Sequence, residues 1–305
     1  MRKRATTRVI LGRMADFESR KKSVESLLTE VCHTSGLVDI LGRNHAWAIV
    51  GGVVRDCLLV EDPRTRLFFN PWPDVDVAFA HPELDVDRLS SYVEPVRISI
   101  AQNSFGGWKI SADGVGELDV WKVALNSAIA DSSRRWLMYL QCVDFGINAV
   151  AFSWPECRIA IHPLWRSSCR QRRILRVCVD PVMRHLQPAR AVALAVKLEK
   201  TTDWAFKLSD EVRDDLTWLI KDADCGLMRE ALVYLQRKIS SGRWPRSVLE
   251  RFLSEVASAR SCPLFERLVT EIFGHNLEEY VSSAKSRHCS RRAPISGQRR
   301  LFPEA

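Results

Sequence analysis

Gly51-Gly52-Val53-Val54-Arg55-Asp56 directly follows the apolar run Ala46–Val50, and this junction decides the fold of the chain. The apolar run predicts a short buried strand, and Val53–Val60 predicts the first turns of a helix. Two glycines let the chain turn sharply between strand and helix, because neither carries a Cβ atom. A glycine turn that opens a helix presents free backbone N–H groups and the positive end of the helix dipole. We therefore expect Gly51 and Gly52 to bind a phosphate.

Two aspartates follow in the stretch Asp74-Val75-Asp76-Val77. Residues i and i+2 of a strand project from the same face, so Asp74 and Asp76 are expected side by side. Adjacent carboxylates repel each other unless a cation lies between them, and their hard oxygen atoms suit Mg²⁺. Two-metal phosphoryl or nucleotidyl transfer requires at least a phosphate-binding turn beside a carboxylate pair. The sequence thus predicts Asp74 and Asp76 as catalytic metal ligands.

Gly-Gly-x-Val-Arg-Asp followed by a strand with Asp-x-Asp resembles the head domain of the class II tRNA nucleotidyltransferases and bacterial poly(A) polymerases, within the polymerase-beta nucleotidyltransferase superfamily. The resemblance covers roughly residues 46–200. It implies an α+β fold, in which a mixed-sheet nucleotidyltransferase head of about five strands is followed by an all-helical C-terminal domain. The implied reaction moves a nucleoside monophosphate from a nucleoside triphosphate to a hydroxyl acceptor, with Mg²⁺ as cofactor.

Four segments are expected along the chain. They are a basic arm and N-terminal helix at 1–42, the head domain at 43–165, a helical neck and body at 166–284, and a basic, disordered tail at 285–305. Within the helical part, four stretches carry apolar residues at three- and four-residue spacing and predict helices: Leu208–Ile220, Leu227–Ile239, Ser247–Ala257 and Leu264–Phe273. The last stretch, Lys285–Arg300, has six basic residues and no acidic one, which is typical of a disordered tail.

Two-metal transfer also requires a third carboxylate near the pair. Phe105–Ser111 and Gly116–Val123 predict two strands joined at Asp113-Gly114, a strong turn signal. Asp119 in the second strand resembles the acidic residue that the family carries after this hairpin, and we predict it as the third metal ligand. Glu117 shares its face and is the alternative. The structural alternative is that this carboxylate is an exposed acid on an edge strand and has no function.

A further resemblance lies in Val143–Phe152, which is similar to the family stretch Arg-Arg-Asp-Phe-Thr-Ile-Asn-Ala. Asp144 and Asn148 stand at matching positions. We expect them either to contact the sugar or a phosphate of the nucleotide, or to hold the junction between a helix and a strand. The two family arginines, which help to hold the nucleotide, are replaced here by Cys142 and Val143. The identity of the nucleotide therefore stays open.

Val179–Lys200 predicts a long helix, and Leu186–Leu198 within it resembles the family's neck helix. Arg190 matches its first arginine, whereas Gln187 replaces an aspartate and Ala193 replaces a second arginine. The family reads the incoming base with that aspartate and arginine, so its usual choice of C and then A does not follow for this chain. By resemblance, the predicted nucleotide contacts are Gly51, Gly52, Arg55, Asp144, Asn148 and Arg190.

Bulk properties favour a nucleic-acid partner. The net charge is +8 and the pI is near 9.1, which favours a polyanion. Five arginines in Arg166–Arg176 either bind an RNA backbone or form a solvated helix face. Nine cysteines without a C-x-x-C pair are expected to be free thiols in a reducing cytosol. No apolar run approaches the ~20 residues of a membrane span, and Met1-Arg-Lys-Arg lacks an apolar signal core, so we expect a cytoplasmic protein.

The predicted partners are a nucleoside triphosphate and an RNA 3′ end, with tRNA as the first candidate. Two other functions stay open. One is a nucleotidyltransferase with a protein, small-molecule or nucleotide acceptor, which the altered arginine positions keep in view. The other is a non-catalytic RNA-binding relative, although an intact pair at Asp74 and Asp76 argues against it, because paired carboxylates without metal cost stability. The oligomeric state does not follow from the sequence.

Overall fold

The computed structural model describes residues 14–64, 75–80, 98–102, 107–112, 116–123, 132–258 and 263–274. They form two compact units, the first made by the described residues up to Pro181 with Leu194–Val212, the second by Val182–Ala193 with the described residues from Arg213 on. The first 13 residues of the predicted arm, the Asp113-Gly114 turn and the predicted tail lie outside the described residues. Within the described ranges, the cysteines are free thiols, and no helix is long and apolar enough to cross a membrane.

The first unit is a sheet with helices against it. Its helices are α1 (Met14–Thr34), α2 (Leu37–Leu41), α3 (Gly52–Leu59), α4 (Ser132–Leu140) and α5 (Pro163–Gln171), with a short 3-10 helix at Gly146–Asn148. The strands of the large sheet are β1 (Trp47–Val50), β2 (Val75–Phe79), β3 (Ile98–Gln102), β4 (Trp108–Ala112), β5 (Gly116–Lys122), β6 (Val150–Trp154) and β7 (Arg158–Ile161). A separate two-stranded pair joins β8 (Arg173–Ile174) to β9 (Lys207–Leu208).

The large sheet is mixed and runs in the order β3-β4-β5-β2-β1-β6-β7. The β2–β5 pair is parallel, and the other neighbouring pairs are antiparallel. The predicted α+β class with a mixed sheet and a helical C-terminal part is confirmed. The expected number of about five strands is wrong, because the antiparallel pairs β3–β4 and β6–β7 extend the described sheet to seven strands.

One face of the sheet centre carries large apolar side chains. Ile49 of β1 lies in register between Val77 of β2 and Phe152 of β6, and all three are buried. Helix α3 packs against these three strands. The glycine turn therefore sits on a rigid support, since the helix that it opens is fixed to the middle of the sheet.

The opposite face carries small side chains. Ala48 and Ala78 lie in register on β1 and β2, and the indole of Trp136 and the side chain of Leu140, both on α4, pack against them. Alanines on a sheet leave room for a bulky tryptophan to fill the space at the density of a protein interior. Asp76 shares this face with Ala78, because residues two apart in a strand point the same way.

Helix α1 anchors both α3 and the edge strand β7. The guanidinium of Arg20 donates to the carbonyl oxygens of Cys57 at 2.8 Å and of Glu61 at 3.0 Å, at the C-terminal end of α3, where a cation is favoured. The buried carboxylate of Glu25 accepts a hydrogen bond from the backbone N–H of Ile159 at 2.8 Å. That bond satisfies an N–H group on the outer strand of the sheet.

The helical predictions for the C-terminal half are confirmed. Helices α7 (Asp210–Lys221), α8 (Cys225–Ser240), α9 (Ser247–Ser258) and α10 (Pro263–Phe273) match the four predicted stretches closely. Helix α6 (Gln187–Thr202) begins later than the predicted Val179, after a 3-10 turn at Arg184–Leu186. The reason is Pro188, which lacks an N–H group and has a fixed φ, and therefore suits the first turn of a helix better than its interior.

Candidate active site

The glycine turn has a backbone that favours glycine strongly. Gly51 has φ 66° and ψ −118°, a region that side-chain-bearing residues rarely adopt. Its N–H donates to the carbonyl of Val150 on β6 at 3.0 Å, and its carbonyl accepts from the N–H of Arg55 at 2.9 Å. Among the residues that the structure describes, no side chain caps α3, and the first N–H groups of a helix have no acceptor within it. The turn therefore offers N–H donors to an anion.

Two of the predicted carboxylates lie next to each other beside this turn. The parallel register of β2 and β5 pairs Asp76 with Asp119, so both side chains project from one face. Each is half-buried, while Val75, Val77, Leu118 and Val120 on the opposite face are fully buried. A Cβ atom placed on Gly51 would lie 3.8 Å from Oδ2 of Asp76. The structure thus brings together the turn, Asp76 and Asp119.

Glu117, the alternative third carboxylate, has a different environment. It lies two residues before Asp119 on β5 and is exposed. Its carboxylate accepts a hydrogen bond from the ammonium of Lys109 on β4 at 2.5 Å. Lys109 is also the register neighbour of Asp119 across β4 and β5. The register therefore favours Asp119 over Glu117 as the partner of Asp76.

Asp74, the other predicted metal ligand, lies outside the described residues. Among the residues that the structure does describe, no three or more His, Cys, Asp or Glu side chains are grouped as metal ligands. Asp76 and Asp119 provide carboxylate oxygens from adjacent strands, and such hard donors fit Mg²⁺. In proteins, Mg²⁺ is usually bound by one or two carboxylates, keeps several waters and takes further oxygens from a phosphate. Two carboxylates therefore suit this ion.

Arg55 and Asn148 are brought together inside the first unit. The guanidinium of Arg55 is only 2% exposed, and its Nη1 donates to Oδ1 of Asn148 at 2.5 Å. Its Nε donates to Oδ1 of the neighbouring Asp56 at 2.7 Å. The side-chain oxygen of Asn148 therefore holds α3 against the 3-10 helix that follows α4. This contact fits the second of the two predicted roles of Asn148, which is to hold a junction.

A tyrosine that the sequence did not indicate lies within electrostatic reach of both Asp76 and Asp144. The phenol of Tyr139 on α4 is hydrogen-bonded with the side chain of Trp121, two residues after Asp119 on β5. Burial raises the pKa of Tyr139 far above its usual value, and the charges of Asp76 and Asp144 raise it further. Tyr139 is therefore a neutral hydrogen-bonding group close to the carboxylates throughout the physiological pH range.

The structure also describes Arg190, which is a predicted contact, and three residues that differ from the family pattern. Arg190 is half-buried in the first turn of α6, within the second unit, and stays a predicted nucleotide contact. Gln187, which stands in place of the family's aspartate, is buried in the same unit. Cys142 is exposed, and Val143 packs against the apolar cluster under α4, so neither brings a positive charge to the position of the family's arginine pair.

Lys197 was not singled out from the sequence. It lies on α6, in the part that belongs to the first unit, and its ammonium is 3.9 Å from Oδ2 of Asp56. A Cβ atom placed on Gly52 would lie 3.7 Å from the same ammonium. The sequence held one indication of Lys197. It follows Arg190 by seven residues, which is two helical turns, so both residues lie on one face of the helix. Tyr139 had no comparable signal.

No protein-family model matches the sequence, and no curated protein shows a significant match. Among solved structures, a CCA-adding enzyme in complex with ATP matches with a TM-score of 0.50 and 16% identity, over 88% of this chain and 68% of that one. A tRNA nucleotidyltransferase complexed with a primer tRNA and an incoming ATP analog matches with a TM-score of 0.43 and 20% identity, over 85% and 62%. The Thermotoga maritima CCA-adding enzyme complexed with tRNA matches with a TM-score of 0.45 and 15% identity, over 83% and 54%.

The chain thus spans little more than half the length of several of the enzymes that it matches. At these identities the likeness is one of fold. The CCA-adding enzyme in complex with ATP shares with this chain an α+β architecture, with a mixed sheet and a helical C-terminal part.

Proposed function

We propose that this protein is a Mg²⁺-dependent nucleotidyltransferase, which moves a nucleoside monophosphate from a nucleoside triphosphate to a hydroxyl acceptor. The observation that carries the proposal is the register pairing of Asp76 with Asp119 directly beside the Gly51 turn. Two carboxylates at the N-terminal end of a helix with unpaired N–H groups are poorly explained as structural features, since their mutual repulsion costs stability. They are well explained as a site for a polyphosphate and its cations.

Each residue has a defined task in the proposed reaction. The N–H of Gly51 is used by the carbonyl of Val150, so the N–H groups that bind the triphosphate are those of Gly52 and of the next residues of α3, which orient its α-phosphorus toward the carboxylates. Asp119 orients the attacking hydroxyl of the acceptor. The hydroxyl oxygen forms a bond to the α-phosphorus, the bond to the pyrophosphate oxygen breaks, and the hydroxyl proton is lost to solvent. Tyr139, held by its hydrogen bond with Trp121, borders the site as a neutral polar group.

The metal would be held by Asp74, Asp76 and Asp119. Two Mg²⁺ ions bound there would stabilise the negative charge that develops on the entering and leaving oxygens. The protein's own part is to fix the carboxylates on adjacent strands of a rigid sheet. Loss of either Asp76 or Asp119 would leave the other without its partner for a shared cation.

The proposed acceptor is an RNA 3′ end, with tRNA as the first candidate and ATP as the first nucleotide to test. The net charge of +8 favours a polyanionic acceptor. The resemblance of the sequence to tRNA nucleotidyltransferases motivates the choice of tRNA. The matched structure of the same fold is a CCA-adding enzyme with ATP, and its name motivates the choice of ATP.

A second acceptor class has support from particular residues. Cys142 and Val143 bring no charge where the resemblance has two arginines, and Gln187 and Ala193 replace the aspartate and second arginine of the neck helix. These groups hold and read the nucleotide in the family that the sequence resembles. A nucleotidyltransferase that modifies a protein, a small molecule or a second nucleotide is therefore the alternative.

A transfer assay tests the proposal. The protein is incubated with Mg²⁺, each labelled nucleoside triphosphate in turn, and total RNA, next to the isosteric variants Asp76→Asn and Asp119→Asn. We expect label on RNA of tRNA size, and a loss of at least roughly a hundredfold in either variant, because even the outer partners of metal ligands are worth tenfold to a hundredfold. Glu117→Gln is the matched variant, since it removes a carboxylate from the same strand without touching Asp76.

Each outcome has a distinct meaning. Label on a protein or a small product would support the second acceptor class and remove RNA as the acceptor. Loss of activity in Glu117→Gln but not in Asp119→Asn would make Glu117 the third ligand. No transfer with any nucleotide, combined with no Mg²⁺ binding in calorimetry, would contradict the enzymatic proposal and favour a non-catalytic RNA-binding relative.

A further inference from the structure

Two cationic side chains from different elements converge on Gly52. A Cβ atom placed on Gly52 would lie 3.7 Å from the ammonium of Lys197 and 3.8 Å from Nη2 of Arg55. Gly52 is the first residue of α3, where the helix dipole is positive and the backbone N–H groups have no acceptor within the helix. Three kinds of hydrogen-bond donor therefore meet at one point on the first unit.

The guanidinium of Arg55 is the buried cation at this point. Its Nε and Nη1 donate to Asp56 and Asn148, as described above. Its Nη2 lies 2.7 Å from the same Asp56 oxygen and forms an ion pair with it, although no aligned hydrogen bond is made by Nη2. The ion pair with Asp56 offsets the charge of the guanidinium, and Nη2 keeps an N–H that can donate to an oxygen of an anion at Gly52.

The local charges also favour an anion. Arg55 and Lys197 each contribute one positive charge, and Asp56 contributes one negative charge that both of them share. The Lys197 side chain is 57% exposed, and its ammonium lies 3.9 Å from Oδ2 of Asp56, which is a long distance for an ion pair.

The two glycines of the turn have neighbours of opposite charge. Asp76 approaches from the direction of Gly51, whereas Arg55 and Lys197 approach Gly52. A nucleoside triphosphate has the matching polarity, because its outer phosphates carry most of the negative charge and its α-phosphate must face the carboxylates for transfer.

We infer that Lys197 binds the outer phosphates of the nucleoside triphosphate at Gly52, with Arg55 as the buried second cation. The inference rests on the proposed function, since it assigns a residue to the same site. Lys197 supplies from α6 a positive charge that Cys142 and Val143 do not supply after α4. An ammonium on a flexible stem is a common phosphate ligand and can follow the phosphates as they leave.

Isothermal titration of the full chain with inorganic tripolyphosphate and Mg²⁺ tests the inference, and because this probe has no base, the preferred nucleotide does not affect the result. We expect Lys197→Gln to weaken binding about tenfold, as for the loss of one charge-assisted hydrogen bond, and Lys197→Arg to retain it within about threefold. Lys200→Gln is the matched control, because Lys200 is an exposed lysine three residues along the same helix. In transfer kinetics, Lys197→Gln should raise KM for the nucleotide more than it lowers kcat.

The outcomes separate this inference from the proposed function. If the unaltered protein binds tripolyphosphate and Lys197→Gln binds it equally well, Lys197 is not a phosphate ligand, although the turn stays the phosphate site. If Lys200→Gln weakens binding as much as Lys197→Gln, the effect is one of overall charge and the inference is overturned. If the unaltered protein does not bind tripolyphosphate, the phosphate site and the inference both fail.

Discussion

At the scale of single residues, the two glycines of the turn are required for different reasons. Gly51 has a backbone conformation that strains any other residue, while a Cβ atom on it would meet Asp76 only at ordinary contact distance. Gly52 has an ordinary helical backbone, and a Cβ atom on it would also make only ordinary contacts. We therefore assign Gly51 mainly to the fold and Gly52 mainly to the close approach of a ligand.

This assignment predicts opposite results for two alanine variants. Gly51→Ala should lower the free energy of unfolding by about 1–3 kcal/mol, the cost of a residue held in a disfavoured region. Gly52→Ala should unfold like the unaltered protein or slightly later, because alanine favours a helix, yet it should weaken tripolyphosphate binding. Urea unfolding and titration on the same preparations measure both quantities. Equal destabilisation by the two changes would contradict the assignment.

At the scale of secondary-structure elements, His162 shows how a helix near the site is started. It is the residue before α5, and its Nδ1 accepts a hydrogen bond from the backbone N–H of Leu164 at 3.2 Å. Partial burial lowers the pKa of His162 below its ordinary value of 6.5. His162 therefore serves as the cap of this helix.

The cap predicts a pH dependence with a definite sign. A folded-state pKa below the unfolded value means that the unfolded chain binds more protons, so the stability from the cap is present above pH 6.5 and is lost as the pH falls. Protonation would remove the acceptor and place a positive charge at the positive end of α5.

Unfolding in urea at pH 7.5, 6.5 and 5.5 measures this effect. We expect the difference in stability between the unaltered protein and His162→Asn to shift in favour of the variant as the pH falls, because asparagine keeps an acceptor that does not titrate. A difference that stays constant between pH 7.5 and 5.5 would show that the cap does not depend on the protonation state of His162.

At the scale of the whole molecule, the positive charge is only partly available to a partner. Of the arginines in the basic segment, Arg166 pairs with Glu18 at 3.1 Å, Arg173 pairs with Asp210 at 3.6 Å, and the guanidinium of Arg172 lies 4.7 Å from the ring centre of Trp204. Arg170 is exposed in the last turn of α5. The segment therefore contributes fewer charges to RNA binding than its composition indicates.

Binding of tRNA should depend on salt accordingly. With roughly four to six phosphates neutralised, the logarithm of the binding constant should fall with the logarithm of salt concentration with a slope of about −3 to −5. Arg170→Gln should make the slope shallower by about 1. Arg43→Gln is the control, because Asp39 already neutralises Arg43 at 3.0 Å. A slope unaffected by Arg170→Gln would exclude this arginine from the RNA surface, and no measurable binding at low salt would remove tRNA as the acceptor.

The sequence by itself determined the elements and their order. The apolar run before Gly51, the alternation around Asp76 and Asp119, and the helical spacing after residue 201 each depend on neighbours within one strand or helix, and the structure has these elements at those places. The division of the chain at residue 165 depends on longer-range packing and stays a prediction, as do the roles of Asp74 and Arg190.

Only the tertiary structure decided which side chains meet. The parallel register of β2 and β5 places Asp119, and not Glu117, beside Asp76, and a shift by one residue would have turned either aspartate to the opposite face. Packing within the first unit, to which the part of α6 from Leu194 on belongs, brings Lys197 to Gly52, 145 positions away in the sequence. Local patterns determine elements because the interactions within an element are short in sequence, whereas a site joins distant elements through register and packing that no single element encodes.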